Sequence, residues 1–385
     1  MALSLPQKQA IAAASRQAVS AGARRALTQI LRRRWLAPRN RYRVATITSI
    51  ESDHASGTIN SRHLTEYGAV SAPLHCLDGW AYLGRAMGCH LHGDSDSARH
   101  LAYYAELRAA MSLLASQGVL VLNQQHFIVD SRGSVSHLKR GGTHEVAWDA
   151  LEEWAGLRQT SSFLGDILRP ADKSLNDWIK AMPNGASWQP IATDWLRKLG
   201  LDLQLLSSDR RSRNEASYRP SRLNQRASLT SETAATAVRE IWSLLEPAPP
   251  LSFGELDRYL LRLTIETAFK ATEGNSPAAS KRKFGSVVES VVSSNVTGAN
   301  VALWEQFLKR QLDPDDPGII DLVRLKQRPR APSNAERDMR RPDHHLSVMA
   351  RALLLLRVAS GATRQMLVDA GINLDHLEFW WQRFL

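Results

Sequence analysis

The sequence predicts a mainly α-helical protein: a helical bundle with a small β-hairpin, a basic N-terminal helical arm and a helical C-terminal domain. Apolar residues recur at three- and four-residue steps along most of the chain, and glycine and proline separate these segments. Few segments alternate as strands do. The 385 residues are enough for two domains, and an apolar fraction of 43% excludes a disordered or fibrous chain.

The first segment, residues 3–36, has the apolar spacing of one or two helices, and Pro38 ends the pattern. Residues 41–50 alternate weakly and are rich in β-branched types, which predicts a short strand. Residues 1–50 contain ten basic residues and no acidic one before Glu51, whereas the net charge of the whole chain is +11. We therefore expect a charged arm on a nearly neutral body.

The middle of the chain contains the clearest helix, at 97–117, where Asp96 or Ser97 caps the start and Gly118 ends the pattern. A helix over 73–87 is expected before it. Residues 119–122 and 126–129 form a predicted hairpin. Thr143 is the expected cap of a helix that runs to residue 154.

Further helices are expected towards the C-terminus. They cover residues 175–180, 188–206, 232–245, 253–271, 301–312, 345–360, 363–370 and 374–384. The run 246–250 contains three prolines and is the strongest boundary in the chain, because proline opposes helix continuation. The predicted division is a basic arm at 1–50, a helical domain at 51–245 and a C-terminal helical domain at 246–385.

The location of the protein is predicted from its cysteines and apolar runs. Only Cys76 and Cys89 are present, too few for a disulfide framework, which favours a reducing cytoplasm. The longest apolar run, 352–356, is far shorter than the roughly 20 residues that cross a bilayer, so no membrane partner is expected. The cysteines and nearby histidines leave open a zinc site, but no cofactor is predicted.

Residues 98–118 combine a Tyr103–Tyr104 pair, small residues and a Leu113–Leu114 exit that ends at Gly118. This segment resembles the leading helix of HEPN-type and YaaC-like proteins. The resemblance implies a helical bundle that often dimerises. It also implies a place in bacterial toxin or antiviral systems, and in active members a metal-independent ribonuclease.

The same resemblance extends loosely to Arg213, Asn214 and Tyr218, which match the arginine-plus-polar motif of the family and would be its catalytic residues. Tyr218 stands where active members have histidine, and tyrosine is a weak acid–base group at neutral pH. Arg132 and His137 have a spacing that also fits the motif.

Three basic segments are expected to contact phosphate groups of nucleic acid. Arginine binds phosphate with two parallel hydrogen bonds, and a glycine turn before a helix supplies backbone donors. The predicted contacts are Arg24, Arg25, Arg32, Arg33, Arg34, Lys139, Arg140, Arg210, Arg211, Arg219 and Arg222.

These patterns predict a nucleic-acid-binding component of a bacterial antiviral or toxin-type complex, with a recognition or scaffold role. Its expected partners are the backbone of RNA or DNA and a second protein or a second copy of the chain. Two alternatives stay open, a metal-independent ribonuclease and a structural adaptor that docks onto a larger complex.

Overall fold

The computed structural model describes residues 3–30, 35–169, 174–180 and 344–372, together with residues 232, 234, 235, 238 and 239. The predicted fold class is confirmed, because 71% of the described residues are helical and one small sheet accompanies them. The chain divides into two compact units, one built from residues 1–157, 203–225 and 351–385, the other from 158–202 and 226–350.

Two helices begin the first unit, α1 (Leu5–Ala12) and α2 (Arg16–Ile30). Gln7 accepts a hydrogen bond from the backbone N–H of Ser4, which satisfies one of the free donors at the start of α1. Val19 and Ala23 on α2 are buried in a core cluster with residues of later helices. Residues of the N-terminal segment therefore contribute to the core of the first unit.

The predicted strand at 41–50 is wrong. The structure has turns over 38–45 followed by helix α3 (Thr46–Ala55). The β-branched residues that suggested a strand are overridden by tertiary contacts, since Tyr42 is fully buried and hydrogen-bonds to α3. Ala45 joins the turns to α3 with a φ of 50°, a left-handed conformation that is strained for alanine.

Helices α4 (Ser61–Leu91) and α5 (Ser95–Ser116) pack along each other at the centre of this unit. Helix α4 begins 12 residues earlier than predicted, at a cap in which Asn60 accepts from the backbone of His63, and it continues through Pro73. The helix α5 is confirmed, although its cap is Asp94 instead of Asp96 or Ser97.

A three-stranded antiparallel sheet follows, made of β1 (Val119–Val121), β2 (Gln125–Val129) and β3 (Val135–Arg140). The predicted hairpin is confirmed. The strand β3 was missed because only Leu138 of its six residues is buried. Gly118 has a φ of 94°, and a Cβ there would lie 2.9 Å from the carbonyl oxygen of Val129, so both conformation and space require glycine.

Helix α6 (Thr143–Gly156) has Gly142 at its cap position, so the predicted cap at Thr143 is wrong. The Thr143 hydroxyl instead bonds to the carbonyl oxygens of Leu122 and Asn123, both at 2.9 Å. It thereby ties the start of α6 to the end of β1.

Helix α9 (His345–Asp369) is continuous where the sequence predicted two segments separated by Gly361. In the first unit, Leu356 of α9 lies so close to α4 that a Cβ on Gly79 would be 2.6 Å from its Cδ2. By length and composition α9 could cross a membrane, but 94% of its most apolar window is buried inside the protein. Such burial is typical of a core helix.

The second unit contributes α7 (Arg158–Ile167) and α8 (Leu175–Lys180) among the described residues, and the predicted helix at 175–180 is confirmed. Asn176 on α8 donates to the carbonyl oxygen of Ser162 and to Asp166 on α7. The helices predicted over 188–206, 253–271, 301–312 and 374–384, most of 232–245 and the boundary at 246–250 lie outside the described residues.

Candidate nucleic-acid interface

Several cations of the predicted arm are used to hold the first unit together. Arg24 donates from Nε to the carbonyl oxygen of Ala370 at 3.0 Å. This oxygen lies at the C-terminal end of α9, where the helix dipole stabilises a positive charge. Arg16 lies 3.3 Å from Asp369, and Lys8 lies 3.0 Å from Glu153. These charges are compensated within the fold. Arg32, Arg33 and Arg34 lie outside the described residues.

The predicted anion site before α6 is only partly available. Lys139 lies 3.2 Å from Asp149 and 4.0 Å from Glu145, and its side chain is 12% exposed. Its charge is therefore already balanced by carboxylates of α6. Arg140, at the end of β3, is exposed.

The second basic run and the residues that match the catalytic motif fall in a part of the chain that the structure does not describe. Arg210, Arg211, Arg213, Asn214, Tyr218, Arg219 and Arg222 lie outside the described residues. Arg132 and His137, the other motif match, make separate contacts. The backbone of Arg132 donates to Asp130, and His137 bonds to Gln125 on β2.

The structure brings together a basic surface around residues 39–44, which we call the basic loop. Arg39, Arg41 and Arg43 are exposed on it, and Val44 beside them is 73% exposed. The loop contacts the end of α3 through Asp53 and the start of α4 through His63 and Glu66.

A buried carboxylate on α3 holds the basic loop. Asp53 is fully buried, and it accepts hydrogen bonds from the guanidinium of Arg41 and from the hydroxyl of Tyr42, the latter at 2.9 Å. The same hydroxyl accepts from the backbone N–H of Asn60. Burial, followed by the neighbouring Asp53, raises the pKa of Tyr42, so this hydroxyl stays a donor at neutral pH.

A second buried carboxylate, Glu66 on α4, forms ion pairs with two arginines. Its Oε1 lies 3.2 Å from Nε of Arg25 and 3.1 Å from Nε of Arg62, and its Oε2 accepts from Asn40. Asn40 in turn accepts from the backbone of Tyr42. Hydrogen bonds to charged groups are stronger than neutral ones, so both carboxylates fix arginine side chains whose outer edges remain in water.

Two histidines stack at the edge of the small sheet. The rings of His54 on α3 and His137 on β3 are 4.3 Å apart, and both meet the ring of Phe127 edge-on. His137 Nε2 lies 2.8 Å from the amide oxygen of Gln125, which places its proton on that nitrogen. Burial lowers the pKa of His137, and the neighbouring His54 lowers it further.

The open question of a zinc site concerns Cys76 and Cys89. Burial raises the pKa of the Cys76 thiol to about 11, and its sulfur lies 3.4 Å from the hydroxyl of Ser360 on α9. Cys89 is half-buried near the end of α4. Within the ranges that the structure describes, no three histidines, cysteines or acidic residues are placed to hold a metal ion.

Sequence reasoning identified the cations of this surface by type but missed the residues that organise them. Asp53, Glu66 and Asn40 lie outside every motif. The i,i+4 spacing of Arg62 and Glu66 was the one available signal, because such pairs face each other on a helix. The contacts of Asp53 and Asn40 join turns and helices, and no sequence period marks such contacts.

We expect D53N to lower the free energy of unfolding by about 1 kcal/mol, because the amide loses the charge that faces Arg41 while it keeps an oxygen for Tyr42. Urea unfolding measures this change. E51Q, an exposed acid on the same helix, is the matched control and should shift the free energy by less than about 0.5 kcal/mol. Equal effects of the two variants would contradict the anchoring role of Asp53.

Comparisons with protein-family models, curated proteins and solved structures found no match to this chain.

Proposed function

We propose that this protein binds the phosphate backbone of nucleic acid through the basic loop and the adjoining start of α4. The observation that carries the proposal is the pair of buried carboxylates, Asp53 and Glu66, which hold three surface arginines next to two further exposed ones, a net charge of +3. The arginines are Arg25, Arg39, Arg41, Arg43 and Arg62. An excess of fixed cations on one surface is the arrangement that phosphate groups favour.

The geometry of the basic loop supports phosphate recognition in particular. Arg41 and Arg62 each place one edge of the guanidinium on a carboxylate, and their side chains are still 58% and 62% exposed. A guanidinium carries five donors, so the remaining ones can meet a phosphate oxygen. Preorganised side chains lose less conformational entropy on binding than free ones.

The biological setting is proposed on the resemblance of residues 98–118. We place the protein in the cytoplasm, as the recognition or scaffold subunit of a bacterial antiviral or toxin-type complex with a protein partner or a second copy of the chain. The binding proposal itself does not depend on this setting.

The double variant R39A/R43A tests the proposal. We expect it to raise the Kd for a fluorescein-labelled 20-nucleotide RNA about tenfold at 50 mM salt, since two phosphate contacts are lost. The slope of log K against log salt should shrink by about 1.4 for a single strand. Fluorescence anisotropy between 50 and 200 mM salt measures both quantities.

The charge-matched control is R158A/K180A, which removes two exposed cations from the second unit. It should retain the affinity and the salt slope of the original chain. Equal losses in the two double variants would show that overall charge governs binding and would contradict the proposed surface. Binding that does not weaken as salt increases would contradict the electrostatic mechanism itself.

A further inference from the structure

A continuous set of aromatic rings in contact with one another, some stacked and some edge-on, lies on α4, α5 and α6, at the end of the helix pair away from the basic loop. We call it the aromatic ladder, and it consists of Tyr82, His100, Tyr103, Tyr104, His144 and Trp148. Tyr82 of α4 stacks on Tyr104 of α5 with ring centres 5.5 Å apart and an interplanar angle of 28°. His100, one turn before Tyr104 on α5, lies 5.0 Å from it.

The ladder continues inward onto α6. His144 lies 6.0 Å from Tyr104 and stacks on Tyr103 at 5.6 Å with an interplanar angle of 18°. The Tyr103 hydroxyl is 2.8 Å from Nδ1 of His144, which fixes the orientation of the imidazole. Tyr103 and Trp148 are buried, and they form the base of the ladder.

The outer rings reach the surface. Tyr82, His100, Tyr104 and His144 are half-buried, so part of each residue is in water. Arg85 is exposed, and its guanidinium lies over the Tyr82 ring at 5.7 Å from the centroid. Beside it, a Cβ on Gly84 would meet open space, so α4 presents a smooth surface next to these rings.

An exposed cation lies beside the ladder. Arg85 is on one side of Tyr82, whereas Arg108, one turn beyond Tyr104 on α5, is paired with Asp78 at 3.7 Å. Aromatic rings next to arginine are the features on which unpaired bases stack, and such stacking is sequence-tolerant.

We infer that the aromatic ladder is a second contact site on this protein and that its ligand is the unpaired bases of a single-stranded nucleic acid. This inference rests on the proposed function and names its substrate class. The basic loop binds phosphate groups, which duplexes and single strands share. The ladder adds a contact that a duplex cannot make, because the faces of its bases are covered by stacking within the helix.

The experiment compares three 20-nucleotide probes by fluorescence anisotropy: a uridine RNA strand, an abasic strand of the same length and a 20-base-pair RNA duplex. The original chain should bind the uridine strand about tenfold more tightly than the abasic strand, since stacking contributes about 1–3 kcal/mol per base. This comparison needs no variant and is therefore independent of folding. Equal affinity for the two strands would overturn the inference.

The variant Y82L/Y104L keeps apolar bulk and removes two rings, and Y82F/Y104F is its matched control. We expect the leucine variant to raise the Kd for the uridine strand about tenfold and to leave duplex binding unchanged, while the phenylalanine variant binds both as the original chain does. Circular dichroism verifies the helical content of each variant. A leucine variant that binds the uridine strand normally, or loses strand and duplex binding alike, would overturn the inference.

The two proposals fail separately. If the original chain binds none of the three probes, the proposed function is wrong. If R39A/R43A weakens binding of all three probes but the uridine and abasic strands bind equally well, the basic loop stands as the phosphate site and the ladder is a packing feature.

Discussion

Replacing Glu106 with alanine is expected to lower the free energy of unfolding by about 3–5 kcal/mol, because it removes one charge of a buried ion pair. Glu106 on α5 is fully buried and Arg351 on α9 is 2% exposed, and Nε of Arg351 lies 3.4 Å from Oε1 of Glu106. A charge removed from water has a large desolvation cost, which the partner charge offsets in the native protein.

Urea unfolding of E106A, R351M and the double variant E106L/R351M measures the contribution of this pair. We expect each single variant to be strongly destabilised and the double variant to recover most of the loss, since two apolar side chains leave no buried charge. The surface pair of Lys8 and Glu153 is the contrasting case, and K8A should cost less than about 1 kcal/mol. A small effect of E106A would show that Arg351 reaches water or another anion.

The second large effect is a loss of stability in acid that depends on His75. The Nη1 of Arg108 donates to Nδ1 of His75 at 2.9 Å, which holds the imidazole in its neutral form. Burial, and then the charge of Arg108, lowers the pKa of His75 from 6.5 to about 3. Between pH 6.5 and 3, His75 is therefore neutral in the folded protein and protonated in the unfolded chain.

The pH range follows from these two pKa values. Well above pH 6.5 both states are neutral at His75 and the full stability is present. As the pH falls towards 3 the unfolded state gains a proton first, so stability decreases by about 1.4 kcal/mol per pH unit, or about 2 kcal/mol between pH 7 and pH 5. His126 and His137 also have lowered pKa values and act in the same direction.

The measurement is urea unfolding at pH 7 and pH 5 for the original chain and for H75Q, whose amide oxygen can still accept from Arg108. H75Q should lose about 2 kcal/mol less over this range than the original chain. R108M should reduce the pH dependence only in part, because burial is the larger cause of the shift. An identical pH dependence in H75Q would show that other groups control the acid response.

The sequence was sufficient for elements whose burial follows a simple period. The apolar face of α5 and the glycine after it predicted that helix to within a few residues, and two short apolar runs on either side of residues 123–125 predicted the hairpin. It was insufficient where long-range contacts decide. The segment 41–50 has strand-like composition, yet the bonds of Tyr42 to Asp53 and Asn60 make turns and a helix more favourable.

The candidate site also contains features that composition predicts and features that only long-range contacts decide. The cations of the basic loop are evident from composition, and their number predicted a polyanionic ligand. Which cations of the N-terminal segment can still bind a phosphate group depends on their acidic partners, and these partners can be distant in sequence. Arg16, for example, forms an ion pair with Asp369, more than 300 residues further along the chain. The aromatic ladder was only partly visible, since the Tyr103–Tyr104 pair was noted but Tyr82 and His144 come from other helices.

The contact between α2 and the end of α9 has a consequence for how the protein is synthesised. Arg24 bonds to Ala370 across 346 positions, and Val19 and Ala23 share a core cluster with Met366 and Leu367. During translation α2 and the elements that share this cluster leave the ribosome long before α9 does. The part of the cluster that α9 covers therefore stays exposed until then, and exposed apolar surface favours chaperone binding and aggregation. Protein yield should consequently depend on how fast the ribosome reaches α9.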